Sequence, residues 1–154
     1  MSISVLMVCM GNICRSPMAE GILRALAKER GIDLLIDSAG TINHHVGEAP
    51  DPRAQACMIS HGIAITSLRA RQVKANDLAR FDLVLAMDRD NLADIQRSDV
   101  EPALFRKVRL MMDYAPEHPL REVPDPWYGG TEGFEEVYDM LHTACTNLLD
   151  EIDR

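Results

Sequence analysis

A cysteine and an arginine six positions apart, Cys9 and Arg15, are residues near the start of the chain that could do chemistry together. The loop between them follows an apolar run and precedes a helical pattern, so we expect it to open a helix at the end of a strand. Unpaired backbone N–H groups and the positive end of the helix dipole then converge on one point, which makes an anion site. A thiol at that point should ionise readily. The spacing therefore predicts a phosphate-binding loop that carries its own nucleophile.

The other residues of the loop suit such a site, although a buried cysteine and a surface arginine are the plainer alternative. Arg15 offers a planar fork that matches two phosphate oxygens. Gly11 allows close approach of the backbone to an anion and permits a positive φ, and Asn12 can also adopt a left-handed conformation. Ser16 can bond to the cysteine sulfur or cap the helix. Ser38, after the second strand, either supports Asn12 or is an ordinary turn residue.

Phosphoryl transfer also needs a proton for the leaving oxygen, and three aspartates are candidates to supply it. Asp88, Asp113 and Asp125 all follow predicted strands. Asp125 lies between Pro124 and Pro126, which restrict its backbone, and two aromatic residues follow. A carboxyl group beside a bound phosphate keeps its proton more readily, which suits a general acid. Taken alone, Asp125 is more simply explained as a turn residue in a surface loop.

Strand and helix patterns alternate along the chain. Short apolar runs predict strands at 3–8, 34–37, 81–87 and 108–112. Helices are predicted at 18–30, 51–59, 76–80, 88–95 and 134–152, with loops at 41–50 and 113–126. This order predicts a doubly wound α/β fold with about four parallel strands and helices on both faces. Ligands of such sheets bind at the carboxyl ends of the strands, where the loop and the three aspartates should lie.

Length and composition fit one compact domain over residues 1–154. The chain is 47% hydrophobic and carries a formal net charge of -8, which argues against general nucleic-acid binding. No apolar run reaches the roughly 18 residues of a membrane span, and no basic segment of a signal peptide precedes the first strand. Four cysteines in a chain of this length do not indicate a disulfide framework. We therefore expect a cytoplasmic protein whose Cys9 stays reduced.

Taken together, these residues resemble the low-molecular-weight protein tyrosine phosphatases over nearly the whole chain. The likeness rests on the motif at 9–17 and the aspartate loop at 125–129, and on shorter matches at 37–41, 46–47, 50–54 and 87–88. The resemblance implies that Cys9 attacks phosphorus to form a phosphocysteine, that Arg15 binds the phosphoryl oxygens, and that Asp125 protonates the leaving group and later activates water. Proteins that carry phosphotyrosine, and small aryl phosphates, would be substrates. Inorganic phosphate and other oxyanions would bind in the loop, and no metal or organic cofactor is implied.

The resemblance also implies the residues that contact substrate. They are Met10, Gly11, Asn12, Ile13, Cys14, Ser16, His44, Trp127 and Tyr128, with Ser38 in a supporting role. Three of them depart from residues that are frequent in the family, since Met10 replaces leucine, His44 an aromatic residue and Trp127 tyrosine. These departures lie at the predicted pocket mouth, so they should affect specificity. Protonation of His44 there would favour acidic phosphopeptides, whereas metal binding by His44 and the neighbouring His45 is not expected.

Cys14 has no obvious part in phosphoryl transfer. It is either a small packed residue or the partner of Cys9 in a reversible disulfide that protects the nucleophile from irreversible oxidation. Cys57 and Cys145 fall in amphipathic helical patterns, where we expect them to be in or near the core.

Two other functions fit the same loop. An arsenate reductase would need resolving cysteines close together downstream, and Cys57 and Cys145 do not form such a pair. A module that binds phosphotyrosine without turnover would have no use for Asp125 beside the loop. The aspartate and its aromatic neighbours therefore favour a phosphatase.

Overall fold

The computed structural model describes residues 2–154 and places four parallel strands of this range in one sheet, in the order β2-β1-β3-β4. The strands are β1 (Ile3–Cys9), β2 (Leu34–Gly40), β3 (Leu83–Ala86) and β4 (Val108–Leu110). The α-helices are α1 (Arg15–Arg30), α2 (Pro52–Ser60), α3 (Ala75–Arg80), α4 (Arg89–Gln96) and α5 (Thr131–Ile152). Short 3-10 turns cover Pro102–Lys107, Met111–Tyr114 and Pro126–Tyr128.

Helices cover both faces of the sheet, and the side chains of β1 alternate between the two faces. Val5 and Met7 of β1 face the larger core, which α1, α2 and α5 complete. Leu6 and Val8 face a smaller core formed with α3 and α4. The predicted α/β fold with helices on both faces is therefore confirmed.

Local signals set several helix ends as predicted. Gly31 follows α1 with a φ of 68°, and its N–H bonds to carbonyls of the last turn. Asp51 caps α2 by accepting the N–H of Arg53, and Asp88 caps α4 by accepting the N–H of Asn91. The caps at Asp51 and Asp88 lie next to the functional edge of the sheet, so they also fix the ends of loops there.

Some predicted boundaries were wrong, and tertiary contacts explain the differences. β2 extends to Gly40, beyond the predicted end at 37, because Gly40 pairs with Cys9 of β1. β4 ends at Leu110, before the predicted end at 112, since the chain turns into the 3-10 turn Met111–Tyr114. β3 is shorter than the predicted 81–87 at both ends. α1 begins at Arg15, before the predicted start at 18, so the phosphate loop runs directly into its first turn.

The sheet brings separate parts of the chain to one edge. β1 lies between β2 and β3, and the first connection runs to β2 while the later one returns to β3, which creates a switch point at the carboxyl end of β1. The segment after β4 is tied to the same edge, because the N–H of Val123 donates to the carbonyl of Met87 at 2.8 Å. Cys9, Asp88 and Asp125 are thereby brought together. No helix within residues 2–154 is long and apolar enough to cross a membrane.

Candidate active site

Cys9 ends β1 with its sulfur held between two donors. The Sγ atom accepts the backbone N–H of Asn12 at 3.3 Å and lies 3.0 Å from Oγ of Ser16, and the residue is only 2% exposed. Cys14, whose side chain makes no capping bond, is the N-cap of α1, and Ser16 lies inside the helix. Of the two predicted roles of Ser16, the structure therefore supports the contact with sulfur and contradicts the cap.

Asn12 is the left-handed residue of the loop. Its φ is 59°, whereas Gly11 does not have the positive φ that we considered for it. The Asn12 amide donates to Oγ of Ser16 at 2.7 Å and to Oγ of Ser38 at 2.9 Å, and its Oδ1 accepts the N–H of Arg71 at 3.1 Å. These bonds offset the strain of the left-handed backbone and confirm the predicted contact between Ser38 and Asn12.

A buried carboxylate anchors this network. Oγ of Ser38 donates to Oε1 of Glu20 at 2.7 Å, and Arg24 donates to Oε2 of Glu20 at 2.7 Å. Hydrogen bonds thus run from Glu20 through Ser38 and Asn12 to Ser16, beside the cysteine sulfur. Sequence reasoning missed Glu20, because its spacing along α1 placed it on the same face as Arg24 and suggested an exposed polar position.

Arg15 is 3% exposed and is held by two further contacts. Its Nη1 donates to Asp88 at 2.6 Å and to the carbonyl of Val123 at 3.1 Å, while Nη2 lies 3.8 Å from Asp125. Burial alone would lower the pKa of Arg15, but the facing Cys9 sulfur and the Asp88 carboxylate outweigh burial, and the pKa is raised. The guanidinium group is therefore charged and fixed in direction.

The three aspartates considered as proton donors have different positions. Asp88 is occupied with Arg15 and with capping α4. Asp113 accepts the backbone N–H of Leu110 at 3.2 Å and is not among the residues that line the cleft at Cys9. Asp125 lines that cleft, with its side chain partly exposed. The geometry therefore favours Asp125.

Arg53 holds the loop that carries Asp125. It donates to the carbonyls of Trp127 and Gly129 at 3.2 and 3.3 Å, and its guanidinium lies 5.4 Å from the Trp127 ring centroid. Asp51 accepts from Arg53 at 3.0 Å. Burial would raise the pKa of Asp51, but hydrogen bonds from Arg53 outweigh it and hold the pKa below its usual range. This pair was missed, because only the fold brings α2 beside the loop after Asp125.

These residues surround a cleft of about 450 Å³. Its lining consists of Cys9, Met10, Gly11, Ile13, Cys14, Arg15, Ile42, His44, His45, Glu48, Asp125, Trp127 and Tyr128. Asn12, Ser16 and Ser38, which we also predicted, are buried beneath the loop and do not line the cleft. Met10, Trp127 and Tyr128 form an exposed apolar rim, in which Tyr128 is 86% exposed.

Ile42, His45 and Glu48 line the cleft without having been predicted. The N–H of Ile42 donates to the carbonyl of Met10 at 3.1 Å, which brings the loop after β2 against the phosphate loop. His45 bonds to Glu48 at 3.1 Å, and its ring centroid lies 6.0 Å from that of Trp127. His44 lines the same cleft but is more exposed. The sequence shows two histidines with a glutamate three residues later, but it does not show which of these side chains turns towards the cleft.

The other thiols differ from Cys9 in their surroundings. Cys14 lines the cleft, and burial, Asp51 and Cys9 together raise its pKa far above the ordinary range. Burial raises the pKa of Cys57 and Cys145 to about 12 in each case, and neither lines the cleft. All four cysteines are free thiols in the structure, so a Cys9–Cys14 disulfide stays a prediction.

Comparison with known proteins decides the family. Residues 4–154 match the family model described as low molecular weight phosphotyrosine protein phosphatase. The chain belongs to this family. A putative low molecular weight protein-tyrosine-phosphatase of Synechocystis sp. is 45% identical over 152 residues, covering 97% of this chain and 96% of the relative. The Sus scrofa low molecular weight phosphotyrosine protein phosphatase is 40% identical over 152 residues, covering 97% and 95%.

Solved structures agree with this membership. A protein tyrosine phosphatase from Entamoeba histolytica, solved with Hepes in its active site, superposes with a TM-score of 0.94 at 36% identity and covers 99% of this chain and 97% of its own. A Drosophila arginine phosphatase superposes with a TM-score of 0.91 at 33% identity, covering 97% and 98%. The protein is therefore a member of the cysteine-dependent protein tyrosine phosphatases, and the resemblance drawn from its two motifs is confirmed.

Proposed function

We propose that Cys9, Arg15 and Asp125 carry out the reaction of this phosphatase in two steps. In the first step the Cys9 thiolate attacks phosphorus, and the bond from phosphorus to the tyrosine oxygen breaks as the P–S bond forms. Arg15 and the backbone N–H groups of the loop bind the equatorial oxygens, and Asp125 gives its proton to the leaving phenolate. The products are dephosphorylated tyrosine and a phosphocysteine.

The second step returns the enzyme to its starting state. Asp125, now ionised, takes a proton from a water molecule whose oxygen attacks phosphorus, and the P–S bond breaks to release inorganic phosphate and the Cys9 thiolate. Ser16 stabilises this thiolate as it leaves, because its hydroxyl lies 3.0 Å from the sulfur. Phosphate and similar oxyanions then compete with substrate for the loop. None of these steps requires a metal or an organic cofactor.

The observation that carries this proposal is the meeting of three groups in one cleft. The sulfur of Cys9 faces the cleft beside buried Arg15, and Asp125 lies 3.8 Å from the same guanidinium group. Cys9 and Arg15 are six positions apart in one loop, whereas Asp125 reaches them only through the fold. Such a convergence is expected for attack and proton transfer at one phosphoryl group.

The rim favours an aromatic leaving group. Met10, Ile13, Trp127 and Tyr128 line the cleft with apolar surface, against which a phenyl ring can pack. The relative from Drosophila is named an arginine phosphatase, so phosphoarginine is the substrate to compare directly. We propose that phosphotyrosine in proteins is preferred, that residues 1–154 act as one catalytic domain, and that the enzyme works in a reducing compartment such as the cytoplasm.

The test is hydrolysis of a phosphotyrosine peptide, a phosphoarginine peptide and p-nitrophenyl phosphate. Cys9→Ser should lose at least about 10⁴-fold in kcat, since it removes the nucleophile. Asp125→Ala should lose about 10²–10⁴-fold on the tyrosine peptide and less on p-nitrophenyl phosphate, whose leaving group needs no proton. Full activity of Cys9→Ser would overturn the mechanism. Faster release of phosphate from the arginine peptide by the wild type would overturn the substrate assignment alone.

A further inference from the structure

Three metal-ligating side chains meet on the surface where α2 packs against α5, outside the active-site cleft. Cys57 lies in α2, His61 follows its last residue, and Glu135 lies in the first turns of α5. Sγ of Cys57 is 3.3 Å from one oxygen of Glu135, and Nε2 of His61 is 2.9 Å from the other. One ligand atom from each of the three lies within 4.8 Å of the others.

This spacing is close to that of the ligands of a tetrahedral ion. Zinc bonds of about 2.3 Å to sulfur and about 2.0–2.1 Å to nitrogen or oxygen place neighbouring ligand atoms about 3.3–3.6 Å apart. Thiolate and imidazole ligands favour Zn²⁺ over the oxygen-preferring Mg²⁺ and Ca²⁺. We propose that Cys57, His61 and Glu135 form a Zn²⁺ site with three protein ligands and water in the fourth position.

The three ligands are held close to the geometry that an ion needs. The His61 ring is stacked on Tyr138 of α5, with centroids 3.6 Å apart and planes 7° from parallel. Oγ of Ser60 donates to the carbonyl of Cys57 at 2.6 Å and lies 3.5 Å from Glu135. Small displacements of these side chains would admit an ion, so little conformational entropy is lost on binding.

The surroundings favour a cation and let it enter. Cys57, Glu135 and Glu132 line an open groove between the two helices, and Asp139 adds further negative charge next to Cys57. His61 is 31% exposed and Glu135 48% exposed at the side chain, so an ion reaches the ligands from solvent. Without an ion, the same atoms form two hydrogen bonds that hold the end of α2 to α5.

The proposed metal site is separate from the active-site cleft but close to Arg53, which supports the loop of Asp125. None of its three ligands lines the active-site cleft. Arg53 lies one helical turn before Cys57 and contacts the carbonyls of Trp127 and Gly129 in the loop of Asp125. An ion at this site joins α2 to α5, so its main effect is on the stability of the fold.

Cobalt provides a direct test, because Co²⁺ replaces Zn²⁺ and a thiolate ligand gives it a charge-transfer absorption. We expect one equivalent of Co²⁺ to give this absorption and intense visible bands of a tetrahedral ion, both displaced by Zn²⁺. Both should persist in Cys9→Ser and disappear in Cys57→Ala. Glu135→Gln should weaken binding by about 10–100-fold, whereas the neighbouring Glu136→Gln is the matched control and should bind as the wild type does.

Thermal unfolding gives a second readout that does not depend on cobalt. Zn²⁺ at about 100 times its dissociation constant should raise Tm by about 6 °C in the wild type and in Cys9→Ser, by no more than about 3 °C in Glu135→Gln, and not at all in Cys57→Ala. The circular dichroism of each metal-free variant checks that it is folded. If Cys57→Ala is not folded, Glu135→Gln replaces it as the variant that tests the site. Loss of the cobalt signal in Cys9→Ser, or its retention in Cys57→Ala, would overturn the proposal by placing the ion at the catalytic thiol. No thiolate band in the wild type would show that the cluster is a helix contact only.

Discussion

The two halves of the active site are held in different ways. The phosphate loop, residues 9–16, is buried except at Met10 and Gly11, and its polar side chains are fixed by a network that reaches Glu20 and Asp88. The acid loop, residues 125–130, is largely exposed and depends on Arg53 for its main side-chain contacts with the rest of the protein. The phosphate loop binds the phosphoryl group, which is the same in every substrate. The acid loop contacts the rest of the substrate, which differs from one substrate to another.

Electrostatics explains why the first half must be rigid. Stabilising charge on a phosphoryl group requires donors that already point at the place where charge develops, in a site with little water. Arg15 is fixed by Asp88 and by the carbonyl of Val123, so it loses little freedom when phosphate binds. The acid loop needs only to bring one carboxyl group to the leaving oxygen. We therefore expect changes in the phosphate loop to reduce turnover of all substrates, and changes in the acid loop and rim to act selectively.

Arg15→Lys should have the largest effect of the substitutions that test this contrast. Lysine keeps the charge but loses the planar fork and cannot bond to Asp88, Val123 and two phosphoryl oxygens together. We expect kcat/KM to fall by about 10³-fold for phosphotyrosine peptides and for p-nitrophenyl phosphate alike. Arg30→Lys, at an exposed pair with Asp150, is the matched control and should be unchanged. A loss confined to one substrate class would contradict the proposal that the phosphate loop acts on all substrates alike.

Gly40→Ala should be the next most damaging change, although Gly40 touches no substrate. A Cβ atom there would lie 2.7 Å from the carbonyl oxygen of Met10 and 3.0 Å from the backbone of Gly11, so the phosphate loop would have to shift. We expect kcat/KM to fall by about 10–10²-fold on all substrates, since small misplacements of reacting groups are costly. Gly133→Ala is the control, because its nearest contact would be 3.6 Å away. Equal activity of the two variants would show that the loop tolerates displacement.

The same contrast decides how much of the site could be predicted from the sequence. Cys9, Arg15 and the left-handed Asn12 were predictable, because a strand, a loop and a helix that follow one another directly bring them together. Glu20 was not, since a buried carboxylate on a helix looks like a surface residue until its partner Ser38 arrives from β2. His45 is a similar case, because only the packing of its loop distinguishes it from His44.

The fold shows the same limit. Four strands and the alternating helices followed from apolar runs and caps, and the family motifs added Asp125. The last residues of β2 were missed, because Gly40 is in a strand only through its pairing with Cys9. The contacts of Arg53 could not be read from spacing, since they join α2 to a loop more than seventy residues later. Local order was thus predictable, and contacts between distant segments were not.

Arg53→Met should impair the acid loop and leave the phosphate loop intact. The change keeps much of the side-chain length but removes the bonds to the Trp127 and Gly129 carbonyls. We expect kcat on a phosphotyrosine peptide to fall by about 10-fold, with a smaller loss on p-nitrophenyl phosphate, because a displaced Asp125 protonates poorly. Equal loss on both substrates would instead indicate damage to the phosphate loop.

Unfolding against pH provides a check on the same variant. In the wild type the pair with Arg53 lowers the pKa of Asp51, so its stabilisation is complete above the unfolded value of about 3.9 and is lost as pH falls through the folded pKa. Arg53→Met keeps the backbone N–H bonds to Asp51 but lacks the side-chain bonds, so its Tm should lie below that of the wild type at neutral pH. The difference should become smaller as pH falls from about 4 through the folded pKa of Asp51, because the carboxylate that pairs with Arg53 then becomes protonated. A difference that is constant with pH would mean that Arg53 acts through packing alone.

The smallest effect should come from the rim, at His44. Its exposed imidazole lines the cleft without a hydrogen-bond partner among the described residues, so a charge at this position can act on the peptide that carries phosphotyrosine. A cationic side chain here should increase kcat/KM for acidic phosphopeptides relative to neutral ones by about two-fold to five-fold. His44→Lys should therefore show this preference, and His44→Ala should lack it. Equal selectivity of the two variants would assign selectivity to other rim residues, of which His45 is the first to examine, because it bonds to Glu48 and lies beside Trp127.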